Sequence, residues 1–553
     1  MTDVAARLNS FIKDEEVPIR RPTALFADPD EPKTYNQLMK SENVKHWMKV
    51  MDEEYYSLIE NETWILEKLP PGFVPLRHKW IGKYKEAYNG VEARWKARLT
   101  VVGSSQRHKI DFNETYAPVP KQSAIRIFLS YAAAMDLEMI QFDIKTAFLY
   151  ATLKEVIYMT QPEGYVVKGK EDHYCRLLKS LYGLKQTPYE WNEEFNAFLI
   201  EFGLVRSESD PCIYTRRIGD EITIVVIYVD DGLIASNRPE TIKSMIHHLE
   251  QKFQIRTLEP TRFVGLNLVR DRINRLIYID QENTIDRMLN DNNMSDCKPV
   301  ALPADPNSRL TAASKPESEE ENQEDMAKVP YREAVGALLY LASTSRLDIF
   351  NVVGQVSKYC ACYTRAHWNA VKRIFAYLKG TKNLKLCYGG RAATFIAYCD
   401  ADYGGDLDDR RSTTGFIFFY NGAPVCWASR KQPLTAQSSG ESEYIAANEA
   451  AKEAAWFCQV VQDVTGSKVT PLMIKSDNEA AIAAAQRPQG ATSGRMKHIP
   501  IKMNLVREHV RTGKINMEFV GTDDQLADIF TKPLKSPKFE RMRERIGLSR
   551  RNL

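Results

Sequence analysis

The pair Asp230-Asp231 closes an apolar, β-branched run from Ile222 to Val229, and Gly232 follows it. An Asp-Gly step between two apolar runs is a strong hairpin signal, so the spacing predicts a turn at Asp231-Gly232. A turn accounts for Asp231. It does not account for Asp230, a second anion beside the first, because adjacent anions repel unless a cation holds them. Asp143 ends another strand-like run, LEMIQFDI at 137–144. Three carboxylates from a strand end and a hairpin could converge on two divalent cations, since hard cations with open positions take carboxylate oxygens. The chemistry such a set serves is phosphoryl transfer, with one ion activating the attacking oxygen and the other stabilising the leaving one. A solvated turn and an unrelated strand end fit the same spacing, and the acids alone leave both readings open.

The elements that would position these acids alternate along the chain. Residues 35–60 carry helical apolar spacing through Leu38, Val44, Trp47, Met51, Tyr55 and Leu58. Residues 331–379 read as helical with a break near 364–366, and 394 onward turns strand-rich in TFIAYCDADY, GFIFFYNG and APVCWASR. Helical stretches follow at 439–464 and 477–486. At 553 residues the chain exceeds one core, and three or more compact units are expected. Its 44% hydrophobic and 27% charged residues are those of a globular protein. No apolar run is long enough to span a bilayer, and the first residues lack the apolar centre of a signal peptide. The expected location is cytoplasmic or nuclear, not secreted, with no membrane partner.

Nine scattered cysteines without a C-x-x-C pair, and histidines without H-E-x-x-H, argue against a disulfide frame or a zinc enzyme. Basic residues gather in two places. One runs through Lys79, Lys83, Lys85, Arg94, Lys96, Arg98, Arg107 and Lys109 with Trp80, Tyr84 and Trp95 interleaved; the other is the tail from 531, with eight Lys and Arg against two Glu. Basic and aromatic residues together suit phosphates and base faces. The acidic, Ser- and Pro-rich stretch 303–330 reads as an exposed linker.

The chain closely resembles the C-terminal part of a copia-type retrotransposon polyprotein, a reverse transcriptase followed by a ribonuclease H. The resemblance rests on QFDIKTAFL and YVDD, and on flanking blocks in one order. These include RWKARLTVVG, ETYAPVPK, LLKSLYGLKQTP, SDPCIYTR, VGALLYLASTSRLDI and AVKRIFAYLKGT. It implies a mixed α/β chain, a right-hand polymerase with fingers, palm and thumb, then a ribonuclease-H-like domain. The boundaries that follow are a lead-in at 1–30, fingers and palm at 31–240, a thumb-like part at 241–302, the linker at 303–330, connecting helices at 331–390 and ribonuclease H with its basic tail at 391–553.

Carried over position by position, the resemblance makes Asp143 and Asp230 the principal metal ligands and Asp231 the supporting acid. Lys96 and Arg98 would hold the incoming triphosphate. Phe148 would stand where a ribose 2′-hydroxyl would clash, Tyr182, Gly183 and Lys185 would line the nucleotide pocket, and Gly265 would sit in the primer grip. In the second half it assigns Asp400, Glu443, Asp477 and Asp528 as catalytic metal ligands, with Asp524 the alternative to Asp528. Asp477 also fits a helix N-cap. Asp402, Glu441 and Asp406 read as structural, and Arg410, Arg411 and Ser412 as a turn brace or a phosphate contact. The implied cofactor is magnesium, two ions per active site, with manganese as the alternative. The implied partners are an RNA template, a DNA primer, an RNA–DNA hybrid and dNTPs, with capsid and integrase of a virus-like particle as further candidates.

Six positions depart from the family pattern. Tyr189 replaces an Arg, Gly232 an apolar residue, Tyr150-Ala151 an Asn-Gly, Ser493 a His, and Pro500 an acidic residue. They motivate two rivals to the expected polymerase with ribonuclease H: a decayed copy that binds nucleic acid without polymerising, and a ribonuclease H with a structural polymerase half. No zinc knuckle, aspartic-protease or integrase motif is found, and the N-terminus reads as the truncated or processed side.

Overall fold

A computed structural model describes residues 32, 34–85, 93–307, 310–312, 326, 328–390, 394–487 and 505–550. The lead-in, most of the acidic linker, and the block holding Ser493 and Pro500 lie outside the described residues. Within them the chain is mixed α/β, as expected.

The first unit packs the helices Tyr35–Lys40 and Val44–Glu60 on the hairpin His78–Lys85/Arg94–Val101. Beside them lies a three-stranded sheet in the order Trp64–Lys68, His173–Lys179, Thr152–Met159. Leu38, Trp47, Met51, Trp80 and Leu99 form their common core. One backbone contact fixes how the helices sit: a Cβ at Gly82 would fall 2.6 Å from a methyl of Leu38 and 2.9 Å from the Trp47 ring.

A six-stranded sheet follows, in the order Ile255–Leu258, Glu138–Ile144, Asp231–Ser236, Glu221–Tyr228, Ile213–Ile218, Val205–Arg206. Period-two alternation gives it two apolar faces. One face packs Val225, Ile227 and Ile234 with Trp191, Phe195 and Phe198 of the helix Thr187–Glu201. The other sends Ile224, Val226, Leu233 and Ala235 into the main core, which also holds the helix Gln122–Ala134. That helix is buried on every side from Ser123 to Ala133, so it lies inside the molecule.

Two further sheets complete the fold. One runs Arg262–Phe263, Leu266–Asp271, Leu276–Asp280, Lys385–Gly389, Leu548–Ser549. It joins strands from the stretches expected to be thumb, connection and ribonuclease H, so the sequence divisions at 302 and 390 cross a shared sheet. The helices Tyr331–Thr344, Phe350–Ser357 and Arg365–Thr381 contribute to the main core. The last sheet has the order Ala423–Lys431, Thr413–Tyr420, Phe395–Ala401, Leu472–Ser476, Ile515–Phe519. Its first three strands are antiparallel, and the last two run parallel to Phe395–Ala401. The long helix Ser439–Thr465 packs across it, buried through Tyr444, Ala447, Ala451 and Phe457.

Candidate active sites

The acid hairpin forms, but its turn lies two residues earlier than the Asp-Gly signal predicts. Asp231 pairs with Tyr228, so Val229 and Asp230 make the turn and Asp231 opens the returning strand. Val229 carries φ +63°, a conformation that costs a β-branched residue energy and that neighbours must enforce. The Trp191 indole N–H donates to the Val229 carbonyl at 2.7 Å, and the Ile144 N–H donates to the Asp230 carbonyl at 3.0 Å. Trp191 carries no motif, and the sequence alone did not single it out.

Gly232 does not serve the turn either. A Cβ there would lie 2.3 Å from Cζ of Phe142 and 2.5 Å from Cε1. The Phe142 ring fills the space a side chain at 232 would need, so this departure from the family pattern is matched by a neighbour and does not loosen the hairpin.

On the sheet, Asp231 stands opposite Asp143, and Asp143 stands opposite Arg256 on its other side. Register partners project from the same face, so two acids and a cation line up across three strands. Arg256 carried no motif and was not found in the sequence. Burial raises the pKa of Asp230 above the ordinary aspartate value, with Asp143 adding to the rise and Arg98 and Lys96 opposing it. Lys96 and Arg98 alternate on the strand Arg94–Val101 and so share a face. The Arg98 guanidinium lies 4.8 Å from the centre of the Tyr182 ring, which meets Phe148 edge-on at 4.8 Å.

The loop carrying Tyr182 and Gly183 is pressed against the end of that strand. Gly183 has φ +97°, and a Cβ on it would come 2.0 Å from the Val101 carbonyl. A Cβ on Gly103 would come 2.1 Å from the Gly183 carbonyl, so the three backbones at 101, 103 and 183 stack closely only because 103 and 183 are glycine. Gln106 locks the loop, accepting from the Lys185 N–H at 2.8 Å and donating to Gln186 at 3.0 Å. The Lys185 ammonium points back to the Gln106 carbonyl and the Phe112 ring. Tyr189, in place of the expected Arg, lies under the Lys154 ammonium, which pairs with Glu190 at 3.1 Å. Gly265, at φ +79°, is pinned from the other side by the Tyr340 hydroxyl, which donates to the Val264 carbonyl at 3.2 Å.

The second acid set is more compact. Asp400 is the last residue but one of the central strand Phe395–Ala401, Glu443 lies in the second turn of the helix Ser439–Thr465, and Asp477 follows the strand Leu472–Ser476. Among the described residues these three form a group with one carboxylate oxygen each, all within 4.8 Å of one another. Asp477 is spared from capping because Asn478 takes that role, accepting from the Ala481 N–H at 2.9 Å. Glu441 belongs to the helix start, where it accepts from the Gln437 N–H. Burial, then mutual repulsion among the three acids, raises Glu443 well above the ordinary glutamate value. Asp400 is raised by burial too, although Lys532 works against the rise. Glu443 also has a buried oxygen, Oε2, without a hydrogen-bond partner. A hard cation fits this donor set, since it would satisfy that oxygen and offset the repulsion.

Asp528 stands apart from the three. Its buried carboxylate is held by Lys538 at 2.6 Å and Lys532 at 2.8 Å, and Thr531 donates to Asp400. Asp524 faces outward to Arg545 and does not join the set. Asp406 bridges Lys358 and Lys431 at 2.8 and 2.7 Å, and Ser412 accepts from the Gly404 N–H, so both brace the turn that follows the central strand.

Residues 61–306 match the family model described as "Reverse transcriptase (RNA-dependent DNA polymerase)". The Pol polyprotein from transposon TNT 1-94 of Nicotiana tabacum is 38% identical over 95% of this chain, which spans 39% of that protein's length. The transposon Ty5-1 protein of Saccharomyces cerevisiae is 32% identical, and this chain covers 99% of it with 56% of its own length. The chain belongs to the copia-type retrotransposon Pol family. Asp143, Asp230 and Asp231 fall inside the reverse transcriptase match. A solved foamy viral protease-reverse transcriptase in complex with double-stranded DNA covers 94% of this Pol chain and 78% of its own, at TM-score 0.47 and 10% identity. Among the described residues no helix is long and apolar enough to cross a membrane.

Proposed function

We propose that the chain is an RNA-directed and DNA-directed DNA polymerase that also cleaves the RNA strand of the hybrid it makes. The observation that carries the reading is the alignment of Asp143 with Asp231 beside Asp230, inside the segment that matches the reverse transcriptase family. Asp143 and Asp230 hold the divalent cations, and Asp231 supports them. When bound, magnesium or manganese supplies activation of the attacking oxygen and stabilisation of the leaving one.

The chain's own residues do the rest. Lys96 and Arg98 balance the charge of the incoming triphosphate, Tyr182, Gly183 and Lys185 shape its pocket, and Phe148 excludes a ribose 2′-hydroxyl. A primer 3′-hydroxyl then displaces pyrophosphate from the α-phosphate of a dNTP. Trp191 keeps the strained turn in place while this happens. At the second site Asp400, Glu443 and Asp477 bind the cation that serves hydrolysis of the RNA strand, and Asp528 is the outer acid of the set.

The test is extension of oligo(dT) on poly(rA) with magnesium, run beside Asp230→Asn. Extension by the parent that vanishes in the variant is expected, with hybrid cleavage retained. Equal extension by both proteins overturns the ligand assignment. Tight hybrid binding without extension by the parent favours the decayed copy.

A further inference from the structure

The four acids of the second site divide three against one, and two lysines make the division. Asp400, Glu443 and Asp477 place oxygens within 4.8 Å of one another, and Glu443 Oε2 is buried and unpartnered. Asp528 is buried as deeply, and an ammonium group lies near each of its oxygens: Lys538 hydrogen-bonds Oδ2, while Lys532 forms an ion pair with Oδ1, an oxygen that, like Glu443 Oε2, has no hydrogen-bond partner. Lys532 is the one that reaches inward. Its Nζ lies 2.8 Å from Asp528 Oδ1 and 4.0 Å from Asp400 Oδ2, between the two carboxylates. The same Asp400 oxygen accepts from the Thr531 hydroxyl, so that side of Asp400 already has a donor and a cation.

A divalent ion shared by Asp400 and Asp528 would have to enter the space Lys532 holds, against the charge of Lys532 and Lys538. Like charges at this separation repel strongly where water is scarce. An ion on the opposite side of Asp400, facing Glu443 and Asp477, meets three acids and, among the described residues, no ammonium group in ion-pair contact with Glu443 or Asp477. Lys532 extends, partly exposed, from the turn that also carries Thr531, and Lys538 holds the other oxygen of Asp528.

We propose that the second site binds one divalent cation, on Asp400, Glu443 and Asp477, and that the Lys532 ammonium supplies the positive charge between Asp400 and Asp528. The inference rests on the metal reading of this site given above, and it revises the expectation of two ions there. Lys532 is thus a charge-balancing and positioning residue: it orients Asp400 toward the cation and keeps the fourth acid out of the ligand set.

Ion counting tests it without any turnover. The full chain carrying Asp143→Asn and Asp230→Asn, which silence the first site, is titrated with Mn²⁺ while the free ion is followed by electron paramagnetic resonance. One bound Mn²⁺ per chain is expected, rising to two with Lys532→Met and staying at one with Lys532→Arg. Two ions bound with Lys532 intact overturn the proposal, as does a count of one in a folded Lys532→Met protein. The count in the Lys532 protein does not depend on either substitution, so a misfolded variant leaves the proposal exposed to refutation. No ion bound by any of the three proteins would overturn the metal reading of the site, and the inference with it.

Discussion

Gly232→Leu should damage both the stability of the polymerase half and its catalysis, because the substitution drives a side chain into Phe142. An ideal Cβ at 232 lies 2.3–2.5 Å from two ring carbons, whereas ordinary contact begins near 3.4 Å. The ring must therefore retreat by about 1 Å before the rest of the leucine is placed. It has little room, being 1% exposed and packed against Phe195 in the aromatic core beneath the sheet. Overpacking of this kind costs about 1–3 kcal/mol. The functional cost is separate: Phe142 precedes Asp143 on the same strand, and a displacement of about 1 Å at a reacting group lowers turnover roughly 100-fold.

Phe142→Ala should cost about 3–5 kcal/mol alone, through the cavity it leaves. In Phe142→Ala/Gly232→Leu the new side chain fills that cavity. Urea unfolding and primer extension of the four proteins close a double-mutant cycle, with an expected coupling of at least about 1 kcal/mol in favour of the double variant. Additive losses would refute the reasoning, as would a Gly232→Leu protein that melts and extends primers like the parent.

Trp191→Phe keeps the ring and deletes the N–H that holds the Val229 carbonyl, so stability should fall by about 1 kcal/mol while kcat for extension falls more steeply than KM rises; unchanged kcat would remove Trp191 from the turn's support. The second site makes the metal-free protein sensitive to pH. Burial and mutual repulsion raise the folded pKa of Glu443 and Asp400 above ordinary carboxylate values, so the folded state holds more protons than the unfolded one between those values. Their contribution to stability is therefore greatest at low pH and is lost as pH rises from about 4 through the raised values. Saturating magnesium should flatten the decline, since the cation binds the ionised acids and releases their protons. Melting curves in EDTA and in magnesium at about pH 5 and pH 8 check this, and a magnesium effect equal at both pH values would contradict it.

Much of the scaffold was legible because its signals are local. The strand at 138–144, the helix starting at Ser439 and the helical run of 331–381 with its break before Arg365 follow from apolar period and breakers alone, whereas the further break between Thr344 and Phe350 gave no such signal. The acids were legible through motif order. What sequence could not reveal depends on contacts across the fold. Asp-Gly predicted the turn at 231–232, yet pairing with the Glu138–Ile144 strand shifted it to Val229-Asp230 and gave Gly232 a different reason to be glycine. Arg256 and Gln106 carry no motif, and their roles come from a register partner and a loop that lie far away in sequence. Asp528 matched the family's fourth acid, but the lysines that occupy it are visible only when the turn after it is folded back.

The same long-range logic binds the two candidate sites into one body. Arg126, 3% exposed on the buried helix Gln122–Ala134, donates to the Val425 carbonyl at 3.0 Å and the Thr344 carbonyl at 2.9 Å, and stacks 3.7 Å from the centre of the Trp427 ring. Lys121 lies over Trp456, whose indole donates to the Ser209 carbonyl, and Ser207 donates to Asp463. A linked but independent second domain would not bury a guanidinium at the joint, where Arg126 is enclosed by the carbonyls of Ser343, Thr344 and Val425. The C-terminal strand Leu548–Ser549 adds to the argument, since it completes a sheet begun by Leu266–Asp271 and Leu276–Asp280. The spacing between the first acid set, Asp143, Asp230 and Asp231, and the second, Asp400, Glu443 and Asp477, is therefore set by packed core.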